Sequence, residues 1–146
     1  MAKLIYENRF LLTRKLHKEY YRAQYMKMRF RRLFYFGYRF REWINYRELQ
    51  AQHDKAIVNL VRFQSDNVHV KVNQTAFSFH YDTIVGAEET EELIVLKLRK
   101  EGMAEHVQLL WKNGFVGKPP LEEFKAYINK RTGKSIFVLE EAAEES

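Results

Sequence analysis

The chain has 146 residues, 46% hydrophobic and 30% charged, with 2 Pro, 6 Gly and no low-complexity tract, a composition that suits one domain with a real core and excludes long flexible linkers. It has no Cys, which removes disulfides, thiolate catalysis and cysteine zinc sites and agrees with a reducing compartment. The net charge of +6 is uneven: residues 1–55 hold 14 Lys and Arg against 5 Asp and Glu, while residues 56–146 hold 11 against 14. The aromatics follow the same skew, with 13 of 22 lying between Tyr6 and Tyr46. A basic, aromatic first third joined to a mildly acidic remainder points to two structural parts and to an anionic partner, nucleic acid or a lipid surface.

In chain order, residues 4–12 can open the fold as a strand, and Thr13 is placed to cap a helix. Leu12, Leu16, Tyr20, Ala23, Phe30 and Phe34 then share one narrow helical stripe, with Lys15, Lys18, Arg22 and Arg29 opposite. The spacing predicts a basic amphipathic helix over 13–34. Lys27 falls inside the apolar stripe, where periodicity gives it no reason to be. Residues 34–41 are ambiguous. Phe34, Phe36, Tyr38 and Phe40 repeat with a strand period of two, while Gly37 could break one helix and begin another through Trp43, Ile44 and Leu49. Two helices in a hairpin are expected.

After Lys55 the texture becomes short strands separated by turns. Residues 57–63 are apolar and β-branched, and Val68, Val70 and Val72 alternate with polar neighbours, as do Phe77, Phe79 and Tyr81. Residues 93–98 are apolar enough to be buried on both faces, and Val107, Leu109 and Trp111 follow the Glu101-Gly102 turn. Five such strands predict an antiparallel meander. Pro119-Pro120 starts a helix through Leu121, Phe124, Tyr127 and Ile128, stopped by Gly133. Residues 136–139 are expected to add a short strand, and residues 140–146 read as an acidic tail. A membrane-crossing helix needs about 20 consecutive apolar residues, and the longest run, residues 33–38, has six with Gly37 counted. The opening residues also lack the apolar region of a secretory signal, so a cytoplasmic location is expected.

Several of these segments carry a resemblance. Phe79-His80-Tyr81-Asp82-Thr83-Ile84, the acidic Glu88-Glu89 and the apolar 93–98 run resemble the YcxB-like proteins of bacteria. Lys112-Asn113-Gly114-Phe115 and the 121–128 helix are similar to that family too, as is the opening from Tyr6 to Glu19. The likeness covers roughly 5–19 and 55–132 and rests on hydrophobic patterns. It implies an α+β fold: a pleckstrin-homology-like antiparallel, partly open barrel closed by a C-terminal helix, with an N-terminal helical insertion. The expected domain is 1–139, with the insertion at 13–54 and the sheet plus helix at 55–132. The family implies no catalytic residues. Its members carry a transmembrane hairpin between the opening segment and the sheet, whereas residues 20–46 here contain Arg22, Lys27, Arg29, Arg31, Arg32, Arg39 and Arg41. Charges at bilayer mid-depth are costly, so a membrane span is not expected.

Catalytic and metal readings find little support. His17, His53, His69, His80 and His106 are scattered, without metal-ligand spacing, and the serines lack a nucleophile setting. Gly114-Phe115-Val116-Gly117-Lys118 lacks phosphate-loop spacing and reads as a turn. The pairs Glu88-Glu89, Glu91-Glu92 and Glu122-Glu123 could supply carboxylates, but strand neighbours point to opposite faces and those near position 90 are placed in a loop, where they aid solubility. No enzyme, cofactor or metal site is expected. The functional reading is a binding module that meets an anionic surface at the inner face of the membrane. Lys27, Arg29, Arg31, Arg32, Arg39 and Arg41 supply charge, and Phe36 and Trp43 supply interfacial anchors. The alternatives are a solvated helix packed on its own sheet, a homo-oligomer or protein-partner interface through the same aromatics, and, third, nucleic-acid binding, for which the chain has no recognisable module.

Overall fold

Seven strands and three helices are arranged as two antiparallel sheets in a computed structural model, which describes residues 3–27, 35–52, 57–99 and 106–138. The first sheet has the order β1 (Leu4–Leu11), β2 (Val58–Gln64), β3 (Val68–Val72) and β4 (Thr75–Phe79). The second has the order β5 (Ile84–Glu89), β6 (Leu93–Leu98) and β7 (His106–Trp111). Helices α1 (Arg14–Met26) and α2 (Tyr35–Gln52) stand between β1 and β2, and α3 (Leu121–Thr132) follows β7. The α+β class expected from sequence is therefore present. The sheets are not closed into one barrel: β1 meets the second sheet's end through a single bridge, Asn8 with Phe115, and through the bond from Val116 N–H to the Glu7 carbonyl.

The main core lies between the sheets and α3. Val61, Phe63, Val68, Val70, Ile84, Ile94, Leu96 and Leu110 come from strands, and Phe124 and Ile128 from α3. Phe124 packs edge-on against Tyr6 at 5.4 Å and against Phe63 at 5.0 Å. A second, smaller cluster joins Phe10, Leu16 and Leu93, with Leu12, Tyr20, Leu109 and Trp111 at its edge. It forms because α1 covers the outer face of the second sheet. Strand β6 is thus packed on both faces, which accounts for its unbroken apolar run; Leu93, Ile94, Val95 and Leu96 are all buried.

Several expectations change. The helix expected over 13–34 ends at Met26, capped at its start by the Thr13 side chain accepting from Leu16 N–H; residues 28–34 lie outside the described residues. The two helices of the expected hairpin are present, and Gly37 sits in the first turn of the second, α2. Tyr81 leaves the sheet for a short 3-10 turn and donates from its buried hydroxyl to the Gln64 carbonyl at 2.6 Å. Glu88 and Glu89 belong to strand β5 and not to a loop, because pairing with Val95 and Ile94 outweighs their poor strand propensity. Residues 136–138 form no strand: Asn129 of α3 captures both backbone groups of Phe137 at 2.9 Å, and the Phe137 ring enters the core. Gly133 ends α3 as expected, in the left-handed region at φ 69°. Leu139 and the 140–146 tail lie outside the described residues.

Candidate binding surface on the helical hairpin

Helices α1 and α2 run antiparallel and are locked by polar groups. His17 is buried, with Nδ1 donating to Glu42 at 3.2 Å and Nε2 2.9 Å from the Asn45 side-chain oxygen. Its ring stacks on Tyr21, and Arg14 closes the network at 3.6 Å from the buried Glu42. Burial, reinforced by the Glu42 charge, raises the Tyr21 hydroxyl pKa. At the other end of the hairpin Tyr25 stacks parallel to Tyr38 at 4.3 Å.

The hairpin is tied to the second sheet by charge. Lys27 and Lys97 both bind Glu88, to which Gln24 also donates. Lys15 pairs with Glu92 at 3.5 Å, and Glu19 accepts from Thr90 and from Glu92 N–H. The odd position of Lys27 is thereby explained: the stripe that carries it faces the sheet, where Glu88 waits. Partial burial works against the Glu88 charge, but the two lysines outweigh it and pull its pKa to about 2. The Glu89 carboxylate is likewise opposed by burial and lowered by Lys125 and Lys112. Of the acidic residues assigned to solubility, Glu88, Glu89 and Glu92 are ties between elements.

Among the described residues, the opposite face of α2 has no such ties to the sheet. Phe36, Phe40 and Trp43 recur at four and three residues, and Arg47 extends the row by four more. Phe36 is 84% exposed, Phe40 59% and Trp43 41%. The Arg47 guanidinium lies 4.9 Å over the Trp43 ring, and Arg39 stands beside the stripe, bonded to the Tyr35 hydroxyl at 2.9 Å. Tyr38, Glu42 and Asn45 face α1 from the far side of the same helix.

The eight residues singled out from sequence therefore fall into separate places. Phe36, Trp43 and Arg39 meet on the exposed face of α2. Lys27 is committed to Glu88, and Arg41 lines a groove between the helices. Arg29, Arg31 and Arg32 lie outside the described residues. Sequence reading missed Phe40 and Arg47 as members of the surface, although the 36–40–43–47 spacing was available as the signal. It also missed two clefts flanking the hairpin. One, of about 420 Å³, is lined by Lys15, Lys18, Glu19 and Arg22 of α1, Tyr38, Arg39 and Glu42 of α2, and Glu91. The other, of about 380 Å³, is lined by Tyr20, Tyr21, Gln24, Tyr25, Gly37, Tyr38 and Arg41.

Among the described residues no helix is long and apolar enough to cross a membrane, and no group of three or more His, Asp or Glu is placed to hold a metal ion. Comparison of the chain with protein-family models, with curated proteins and with solved structures finds no match.

Proposed function

We propose that this chain is a non-enzymatic binding module, with a pleckstrin-homology-like body of the YcxB-like kind, that associates peripherally with an anionic membrane surface through α2. The observation that carries this is the exposed stripe Phe36–Phe40–Trp43–Arg47, flanked by Arg39, on the helix face turned away from α1. Support for the body comes from the four- and three-stranded sheets with α3 packed on their core. The hairpin also occupies the interval between β1 and β2, where the family resemblance places an apolar membrane hairpin.

Magnitudes separate affinity from selectivity. An arginine near an anionic bilayer contributes about 1 kcal/mol, whereas fully burying a large apolar side chain contributes roughly 1.5–3 kcal/mol. The aromatics therefore supply most of the binding, and Arg39 and Arg47 choose the lipid charge. The inner, cytoplasmic leaflet is the anionic surface whose charge is opposite to theirs.

Vesicle flotation at physiological salt tests the proposal. The chain is expected to float with phosphatidylserine-containing vesicles and not with phosphatidylcholine alone. The triple change Phe36→Ser, Phe40→Ser, Trp43→Ser should abolish flotation without loss of fold, since none of the three side chains is buried. Flotation that survives the triple change sinks the proposal. Absence of flotation together with a concentration-dependent mass in light scattering would instead assign the stripe to a second copy of the chain.

A further inference from the structure

The surface on α2 leaves the tyrosine groove on the flank of the hairpin unused. Its volume, about 380 Å³, falls in the range of small-molecule sites, roughly 300–1,000 Å³. Among the described residues, every side chain that lines it is flat: four phenols, one amide and one guanidinium, with no aliphatic residue among them. Tyr25 and Tyr38, both lining the groove, stack on each other within 14° of parallel at 4.3 Å. An acyl chain packs best among branched and flexible aliphatics, whereas a planar ring is favoured by stacking on phenols.

Gly37 stands at the groove. A glycine within a helix costs about 1 kcal/mol relative to alanine, yet a Cβ built at Gly37 meets nothing within 4 Å. No close approach demands the glycine there. What its missing side chain leaves is open space between the tyrosines. Arg41 is exposed on the same groove and forms no ion pair with a described carboxylate. A guanidinium matches a carboxylate through two parallel N–H bonds and also stacks on flat groups. Among the described lining residues Arg41 is the one charged group, so an anion in the groove would be held by its guanidinium.

We propose that this groove is a binding site for a small planar aromatic anion, an arene carboxylate, whose ring lies against the tyrosines and whose carboxylate pairs with Arg41. The site is distinct from the exposed stripe of α2 and does not depend on membrane association.

Calorimetric titration of the full chain with naphthalene-2-carboxylate tests it. Saturable one-to-one binding is expected. Gly37→Leu, which fills the groove, should weaken it by about tenfold or more with an unchanged circular dichroism spectrum. Arg41→Gln should weaken the acid to a similar degree and bring it level with naphthalene-2-carboxamide. Should Gly37→Leu fail to fold, the Arg41 variant and the amide carry the test, because Arg41 is exposed. The proposal is overturned by no saturable binding, by equal affinity for acid and amide in the unaltered chain, or by decanoate binding as tightly as the arene.

Discussion

Asn8 has no exposed surface, and its side-chain amide does the work of a missing strand pair. Its Nδ2 donates to the Trp111 carbonyl at 2.8 Å, and its Oδ1 accepts from Trp111 N–H at 3.2 Å. The two sheets are stitched at this point, where backbone pairing between β1 and β7 is absent. Asn8→Ala leaves a buried N–H and a buried carbonyl unpaired, and should cost roughly 2–4 kcal/mol in urea unfolding. Gly114 is as constrained for a steric reason: a Cβ there would lie 2.4 Å from the Arg9 carbonyl oxygen. Neither role could be read from sequence. An Asn in an alternating strand reads as an ordinary polar position, and Gly114 reads as turn chemistry, because the partners are 103 residues away in one case and on β1 in the other.

At the scale of elements, ionic ties join the hairpin to the second sheet beside the apolar contact of Leu16 with Leu93, and Glu88 is the centre of those ties. Its pKa is held at about 2 against an ordinary 4.5. A lowered carboxylate pKa means that the folded state binds the proton less readily than the unfolded chain. The stability it contributes is therefore complete above about pH 4.5 and is lost as pH falls toward 2. Thermal unfolding of the native chain and of Glu88→Gln should differ at pH 6 and converge by pH 2; a gap independent of pH would show that the Lys27 and Lys97 pairs do not act through this charge. The periodicity of α1, the buried character of β6 and the stop at Gly133 were all legible, since each depends on local spacing or backbone conformation. Strand β5 was not. Val85-Gly86-Ala87-Glu88-Glu89 has weak strand propensity and two adjacent charges, and it is held extended by pairing with β6 on one side and by lysines from three other elements.

For the whole molecule, the hairpin is an excursion whose ends return to one place: Leu12 N–H donates to the Ile57 carbonyl at 2.8 Å. Replacing residues 13–56 by a short Gly-Asn turn should leave both sheets and α3 folded, because the main core takes none of the hairpin's described residues. Uncovering Phe10 and Leu93, which Leu16 and Tyr20 shield, should lower stability by roughly 3–6 kcal/mol, at about 1.5–3 kcal/mol per side chain. Amide exchange checks both outcomes: protection retained in β2 and β3, and reduced in β6 and β7. By itself, the sequence determined the α+β class, the basic aromatic segment, most strands and the terminal helix, because these follow from periodicity, capping and turn residues that act over a few positions. Only the tertiary structure decided that the strands split into two sheets, that Lys27 is bound to the sheet while Phe36, Phe40 and Trp43 face outward, and that four tyrosines line one groove with Gly37. Those outcomes depend on which faces of α1 and α2 are covered, a matter of contacts between residues distant in sequence.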